Sequence, residues 1–205
     1  ALGVKNGSAL EMPCPGNDSI RELMAAVQSG KISESDVDAR LDEVLELVFT
    51  THDAVEQSPR TFDADAHHAL ARRAAAESIV LLKNDGHLLP LTAGESVAVI
   101  GDFAETPRYQ GAGSSAVNSI KVDSLLEHLD ASGLKSVGFA TGFDRQGKPD
   151  AAKKAEAVAL AKQANVVLLC LGLDEIKESE GIDRADMELA ANQLELLDAI
   201  SAVNP

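Results

Sequence analysis

Three apolar stretches alternate with helical stretches in the second half of the chain, and this alternation restricts the fold more than any other feature. The apolar stretches cover residues 96–102, 135–142 and 166–173. The helical stretches cover residues 123–132, 150–164 and 189–203. The first is expected to end at Gly133 and to point Leu125, Leu126 and Leu129 inward, and the last to have the apolar stripe Leu194, Leu197 and Ile200. Strands and helices that alternate every ~25–35 residues are typical of βαβ units with right-handed crossovers. The sequence therefore predicts an α/β fold with a mostly parallel sheet.

The third apolar stretch leads into the most acidic segment of the chain. Residues 166–173 are apolar except for Gly172, a pattern typical of a strand buried on both faces. Residues 174–188 contain seven carboxylates and two basic side chains, a net charge of about −5. Chemistry in open α/β sheets collects beyond the carboxyl ends of parallel strands, so this segment is a candidate catalytic loop. On composition alone, a solvated acidic loop is the competing interpretation.

The first apolar stretch is followed by a glycine-rich turn, GAGSS. Gly111 and Gly113 lack a Cβ, so main-chain N–H groups, or the hydroxyls of Ser114 and Ser115, could reach a polar ligand. An ordinary surface turn is the alternative. The glycines do not form G-x-G-x-x-G at a strand–helix turn, so a nicotinamide cofactor is not expected. Both this turn and the acidic loop follow parallel strands, and we expect them at the same edge of the sheet.

The first part of the chain has a different pattern. Residues 7–13 indicate a short strand. A helix should follow, with a capping box formed by Ser19 and Glu22 and a stop at Gly30. Its apolar face is expected to consist of Ile20, Leu23, Met24 and Val27.

Two further helices are expected before the α/β region. One begins near Ser33 or Ser35, and its apolar stripe comprises Val37, Leu41, Val44, Leu45 and Val48. Residues 51–65 are polar and predict a linker at a domain boundary. The other helix covers residues 64–78, and residues 79–91 then form an apolar segment interrupted by a turn.

Charge and composition exclude several functions. The net charge of −15 would repel a phosphate backbone, so nucleic acid is not an expected partner. No run of eighteen apolar residues is present, so a membrane span is not expected. The N-terminal residues lack the basic start and apolar core of a signal peptide, and we expect a cytoplasmic location.

Neither the cysteines nor the histidines suggest a metal site or a disulfide. Cys14 and Cys170 are the only cysteines, and Cys170 lies within an apolar stretch, where a thiol usually acts as a small hydrophobe. The five histidines have no metal-ligand spacing and are expected to face solvent: His52, His67, His68, His87 and His128. No metal and no cofactor are expected.

Several motifs together give the chain a family resemblance. The motifs GSALEMP, AESIVLLKND, LLPL, RYQGAGSS and GLDEIKESEGIDRADMELAANQ occur in this order. In this order they resemble family 3 glycoside hydrolases, the β-glucosidase-like retaining enzymes, and the resemblance spans essentially the whole chain. Two positions depart from the family pattern: Ala9 stands where aspartate is typical, and Leu189-Ala190 stands where Leu-Pro is typical.

The resemblance implies a domain organisation. The family joins a (β/α)8 barrel to an α/β sandwich, with the active site between them. Residues 1–58 would be the C-terminal part of the barrel, residues 59–89 a linker with a connecting helix, and residues 90–205 the N-terminal part of the sandwich. Since the chain lacks an initiating Met and stops where another strand is expected, we expect a fragment truncated at both ends.

The resemblance also implies site residues. The acid/base glutamate of the family maps onto Glu180, with Glu178 as a rival. The substrate-binding residues would be Gly111, Gly113, Ser114, Ser115 and Arg184. Neighbouring carboxylates should raise the pKa of Glu180, the direction that a general acid requires. The family's nucleophile is an aspartate in a Ser-Asp-Trp-like motif that this sequence lacks.

The expected function is therefore that of an exo-acting, retaining β-glucosidase. This chain would supply the acid/base loop and need the remainder of the same enzyme, so that alone it would be inactive. The substrate would be a small β-glucoside or an oligosaccharide. The alternatives are a β-xylosidase or another β-glycosidase of the family, and a non-catalytic carbohydrate-binding α/β module. The scarcity of aromatic side chains, one Tyr and five Phe, disfavours the binding module.

Overall fold

A computed structural model describes residues 1–13, 16–58 and 61–205. Contacts within the chain divide it into two compact units, Ala1–Asp65 and Ala66–Pro205. The helices are α1 (Leu2–Lys5), α2 (Asn17–Gln28), α3 (Glu34–Gln57), α4 (Ala64–Ser78), α5 (Leu125–Leu129), α6 (Ala151–Ala161) and α7 (Ala191–Ser201). The strands are β1 (Ser96–Ile100), β2 (Lys135–Ala140) and β3 (Val166–Leu169). The assignment of barrel, linker and sandwich to residues 1–58, 59–89 and 90–205 stays a prediction.

The three strands form one parallel sheet in the order β2–β1–β3. This confirms the predicted α/β fold with a mostly parallel sheet. The strand buried on both faces is β1, in which Val97 to Ile100 are inaccessible to solvent. The same prediction for β3 is wrong, because all four of its residues are only half-buried. Among the described strands β3 pairs with β1 alone, so it is an edge strand of the described sheet.

Helices cover both faces of the sheet. Val97 and Val99 of β1 pack on one face with Leu129 of α5. The opposite face packs on α6 and α7, with Ile100 as its contribution from β1. Successive side chains of a strand point to opposite faces of the sheet, so odd- and even-numbered residues of β1 pack into two different cores.

The connections place a crevice between β1 and β3. The helix that follows β1 is α5, which packs on one face of the sheet. The helix that follows β3 is α7, which packs on the other face. Two neighbouring strands whose following helices diverge in this way leave an open crevice beyond their carboxyl ends, where ligands bind in α/β sheets.

The buried face of α7 differs from the predicted stripe. Leu196 and Ile200 are buried, whereas Leu194 and Leu197 are each 40% exposed. The reason is Gln193, which is 1% exposed and whose amide binds both main-chain groups of Gly172, at 2.8 and 3.0 Å. This pair of bonds turns the face containing Gln193 toward the sheet. On α5 Leu129 is likewise buried, while Leu125, predicted to point inward, is 38% exposed.

The predicted strand at residues 7–13 is wrong. These residues are irregular. A strand needs a neighbouring strand for its ladder hydrogen bonds, and the described residues of the first unit contain none. The helix predicted to begin at Ser19 begins at Asn17, after Gly16. Ser19 is thus not its cap, and the Ser19 hydroxyl donates to Glu11 at 2.7 Å instead.

Helix α3 is longer than its sequence pattern suggested. Ser33 caps its N-terminus in a capping box with Asp36, at one of the two predicted starts. The helix continues to Gln57, so the first part of the predicted linker is helical. Ser58 is extended, as is usual for a residue that precedes a proline in the sequence. Pro59 and Arg60 of the linker lie outside the described residues.

Many apolar side chains of the first unit, Ala1–Asp65, are exposed. The predicted inward positions Ile20 and Met24 of α2 are more than half exposed, and those of α3 include the exposed Leu41, Leu45 and Val48. In the second unit, residues 79–82 are irregular, and their four apolar side chains are also exposed. None of the helices in residues 1–13, 16–58 and 61–205 has the length and apolarity that a membrane span needs.

Candidate active site

The glycine-rich turn and the acidic loop meet at the crevice. The N–H of Glu180 donates to the carbonyl of Ala112 at 3.0 Å. The N–H of Ser114 donates to Oε2 of Glu180 at 2.7 Å, and the Ser114 hydroxyl donates to the same oxygen. The turn after β1 and the loop after β3 therefore lie at the same sheet edge, as predicted.

Gly113 permits this close approach. Its φ of +108° is a backbone conformation that side-chain-bearing residues rarely adopt. A Cβ on Gly113 would lie 2.6 Å from the Cβ of Glu180 and 2.9 Å from its Oε2. At Gly111 a Cβ would lie 2.9 Å from the Ser115 hydroxyl. Gly113 is therefore needed for the turn to pack as it does, whereas at Gly111 a rotation of the Ser115 hydroxyl would relieve the contact.

The pKa of Glu180 moves in the direction opposite to the one predicted from the sequence. Hydrogen bonds from the Ser114 hydroxyl, and then from the Ser114 N–H, lower the pKa of Glu180 below its usual value. The expected rise by neighbouring carboxylates is thus wrong in sign. Two donors on one carboxylate oxygen favour the ionised form, and the exposed position of Glu180 leaves little desolvation to oppose them.

The rival carboxylate, Glu178, is bound to an arginine that the sequence reasoning did not single out. Nη1 of Arg108 lies 3.2 Å from Oε2 of Glu178, and Nη2 donates to the Glu178 carbonyl at 2.8 Å. Nη1 also donates to the carbonyl of Leu173 at 3.5 Å. Arg108 is the first residue of the motif RYQGAGSS. Its position as the one basic residue between the end of a strand and a glycine-rich turn could have marked it as a candidate site residue.

A second arginine joins the loop after β2 to the other two loops. Nε of Arg145 lies 2.7 Å from Asp102, which follows β1. Its Nη1 lies 3.5 Å from Glu175, which follows β3. The guanidinium also stacks on the ring of Phe103, 4.4 Å from the centroid. Charged side chains thus connect all three loops at the carboxyl edge of the sheet.

The space between the turn and the acidic loop is an open, polar cleft of about 500 Å³. Its lining comprises Arg108, Gly111, Ala112, Ser114, Ser115, Glu178, Ser179 and Glu180. A neighbouring depression shares Arg108 and Glu178 and adds the apolar side chains of Phe103, Pro107 and Leu171. Arg184, predicted to bind substrate, lines neither depression and is half-buried within the acidic loop.

Two of the histidines have a structural role, contrary to expectation. Nε2 of His68 and Nε2 of His128 lie 3.1 and 3.2 Å from the same oxygen of Asp123, and Arg72 lies 2.9 Å from the other oxygen. The hydrogen bond from His128, followed by that from His68, lowers the pKa of Asp123. Sequence reasoning missed this cluster because His68 and Asp123 are 55 residues apart.

Neither a metal site nor a reactive thiol is found in the described part of the chain. No group of three or more His, Cys, Asp or Glu side chains in these ranges could hold a metal ion. Cys170 is a free thiol that packs with the core, and burial raises its pKa. Cys170 is therefore a poor nucleophile. Cys14 lies outside the described residues.

Comparison with known proteins identifies the family to which this fold belongs. Residues 79–205 match the glycosyl hydrolase family 3 C-terminal domain. An exo-α-(1→6)-L-arabinopyranosidase of Bifidobacterium longum is 43% identical over 97% of this chain and 27% of its own length. The thermostable β-glucosidase B of Acetivibrio thermocellus is 35% identical over 98% of this chain and 27% of its own length.

A solved structure shows the same architecture. The crystal structure of the Bifidobacterium adolescentis GH3 β-glucosidase superimposes with a TM-score of 0.81 and 43% identity, over 98% of this chain and 29% of that one. The parallel sheet with helices on both faces is therefore that of an α/β domain of the family 3 C-terminal type. The chain belongs to glycoside hydrolase family 3. It spans about 27% of the length of the curated relatives that it matches.

Proposed function

We propose that this chain carries the acid/base of a retaining, exo-acting β-glycosidase, a β-glucosidase, and that Glu180 is that residue. The observation that supports the proposal is the position of Glu180. It faces an open polar cleft at the crevice between β1 and β3, and both of its anchoring bonds come from Ser114. Glu178, by contrast, is paired with Arg108.

The proposed chemistry requires a second carboxylate from elsewhere in the same enzyme. A retaining glycosidase uses a nucleophile and an acid/base whose carboxyl groups are about 5–5.5 Å apart. The sequence lacks the family's nucleophile motif, so residues 1–205 alone should not hydrolyse aryl glycosides. The remainder of the enzyme is the proposed partner of this chain.

The charge state of Glu180 suits one of its two tasks in the open cleft. A low pKa keeps the carboxylate ionised, which is the form that activates water in the second step. In the first step the same group must donate a proton to the glycosidic oxygen. We infer that substrate binding exchanges the Ser114 bonds for contact with the glycosidic oxygen, which lets Glu180 take up the proton.

A second candidate function is hydrolysis of α-L-arabinopyranosides. It is favoured by the Bifidobacterium longum relative, which matches as closely as the β-glucosidase structure does, at 43% identity. A β-xylosidase activity is a further alternative within the family. A panel of p-nitrophenyl glycosides of these three sugars, offered to the full-length protein that carries this chain, distinguishes the activities by kcat/KM.

The role of Glu180 is tested by substitution in that full-length protein. Glu180→Ala should lower turnover of substrates with poor leaving groups by about 10²–10⁴-fold, the usual contribution of positioned proton transfer. Substrates with activated aryl leaving groups should be cleaved with much less loss, because their oxygen needs little protonation. Azide, which needs no base, should restore turnover and give a glycosyl azide of retained configuration.

Glu178→Ala provides the matched comparison in the same loop. If azide rescues the Glu178 variant and not the Glu180 variant, the assignment is wrong by two residues. If azide rescues neither, the loop is a solvated acidic segment with no acid/base. If the full-length protein binds β-glucosides without cleaving them, the carbohydrate-binding module is the correct function.

A further inference from the structure

Arg108 holds the acidic loop at two points. Its guanidinium binds the carbonyl of Leu173, which immediately precedes the acidic loop, and both the carbonyl and the carboxylate of Glu178, two residues before Glu180. The side chain of Arg108 is only 15% exposed, whereas that of Glu178 is 51% exposed, so the guanidinium is held at the protein surface by a carboxylate that stays open to water. Arg108 itself follows β1, and it therefore fixes the loop after β3 relative to the neighbouring strand.

The other restraints on the loop are also polar: Arg145 lies 3.5 Å from Glu175, and Lys177 lies 3.0 Å from Asp186. The two isoleucines of the loop are exposed, Ile176 by 68% and Ile182 by 57%, so apolar packing contributes little to its position. Asp174 shapes its start, accepting hydrogen bonds from the N–H groups of Ile176 and Lys177 at 2.9 and 2.6 Å. At the tip, the Glu180 N–H binds Ala112. Between these points Arg108 provides the contact that joins the start of the loop to Glu178.

Arginine is suited to this task in a way that lysine is not. Its planar guanidinium presents several N–H donors in fixed directions, so one side chain can bind a carboxylate and two carbonyls together. A lysine ammonium is a compact charge that could still pair with the Glu178 carboxylate. It could not hold both main-chain carbonyls in the same geometry.

We propose that Arg108 is a positioning residue for Glu180, and that Glu178 is the counterion of Arg108. This inference depends on the proposed function of Glu180. Proton transfer needs the carboxyl within hydrogen-bond distance of the glycosidic oxygen, and a misplacement of about 1 Å can lower a rate about 10²-fold. In a loop held by polar contacts, that precision depends on Arg108 as well as on the Ser114 bonds to the Glu180 carboxylate.

The test compares three substitutions in the full-length enzyme: Arg108→Met, Arg108→Lys and Glu178→Gln. Arg108→Met removes all three contacts and should lower kcat about 10–10²-fold while KM changes less than about threefold. Arg108→Lys should recover part of this loss. Glu178→Gln keeps the main-chain carbonyl contacts of Arg108 and should show the smallest loss, with no rescue by azide.

The matched control is Arg73→Met. Arg73 also pairs with a glutamate, Glu77, at 3.7 Å, but on the surface of α4 with its side chain 70% exposed. Its removal should leave kcat unchanged. Hydrogen exchange provides a readout that does not depend on turnover. Peptides covering residues 173–182 should exchange faster in the Arg108→Met variant than in the wild type and the Arg73→Met control.

The outcomes separate this inference from the proposed function. If Glu180→Ala shows azide rescue but Arg108→Met keeps wild-type kcat and exchange rates, the positioning role is wrong and the acid/base assignment stands. If Glu178→Gln is impaired more than Arg108→Met and is rescued by azide, Glu178 is the acid/base and both assignments are wrong. If Glu180→Ala is fully active while the exchange of residues 173–182 rises in Arg108→Met, Arg108 only orders the loop, and its catalytic positioning role is refuted.

Discussion

Replacing Gly113 by alanine should impair catalysis through a contact with Glu180. A Cβ at this position would lie 2.6 Å from the Cβ of Glu180. Ordinary contacts begin at about 3.4 Å, so the Glu180 side chain or its loop must shift by about 0.8 Å. The shift moves the carboxylate away from the position set by Ser114.

The size of the effect follows from this displacement. A misplacement of about 1 Å in a catalytic group can lower the rate about 10²-fold, so Gly113→Ala should lower kcat by roughly that factor. The positive φ adds backbone strain of about 1–3 kcal/mol, which affects the stability of the turn rather than the reaction itself. The two contributions are separable by comparison with a second glycine.

Gly181 is the matched control, because it also has a positive φ, +80°, but has no atom within 4 Å of its would-be Cβ. Gly181→Ala should carry similar backbone strain and keep kcat within about fivefold of the wild type. The assay is steady-state hydrolysis of an aryl glycoside with a poor leaving group by the full-length protein, with thermal unfolding measured in parallel. Equal losses in kcat for the two variants would refute the contact argument.

Three further predictions concern charge, packing and capping. Ser114→Ala removes the larger cause of the lowered pKa of Glu180, so the Glu180 titration, followed by NMR, and the alkaline limb of kcat/KM should move to higher pH. Leu196→Ala should destabilise the chain by about 2–5 kcal/mol in urea unfolding, because Leu196 is inaccessible to solvent, whereas the half-exposed Leu197→Ala should lose clearly less. Asp150→Ala should lower stability by about 1 kcal/mol, since Asp150 caps α6 by accepting from two N–H groups, and an unchanged melting temperature would contradict that role.

The pattern of the sequence was sufficient to predict the α/β class and the meeting of two loops. Both follow from local information: the period of apolar residues distinguishes strands from helices, and parallel strands must place their following loops at one edge. The helix start at Ser33, one of the two predicted positions, and the helix stop at Gly133 are equally local, and the structure shows both.

Predictions that depended on a partner in space were less successful. Three predictions required knowledge of the neighbouring elements in space: the burial of β3, the buried face of α7 and the strand at residues 7–13. A strand needs a neighbour for its hydrogen bonds, and a helix face is selected by contacts such as those of Gln193 with Gly172.

The sequence by itself determined the strand–helix order and the family to which the chain is similar, because both reside in residue types and spacing along the chain. The tertiary structure alone decided which partner each of the two candidate carboxylates binds, and in which direction the pKa of Glu180 moves. Glu178 and Glu180 are two residues apart and chemically identical. Arg108, 70 residues from Glu178, pairs with it, and Ser114, 66 residues from Glu180, lowers its pKa. Electrostatics depends on distances through space, which the order of residues does not fix.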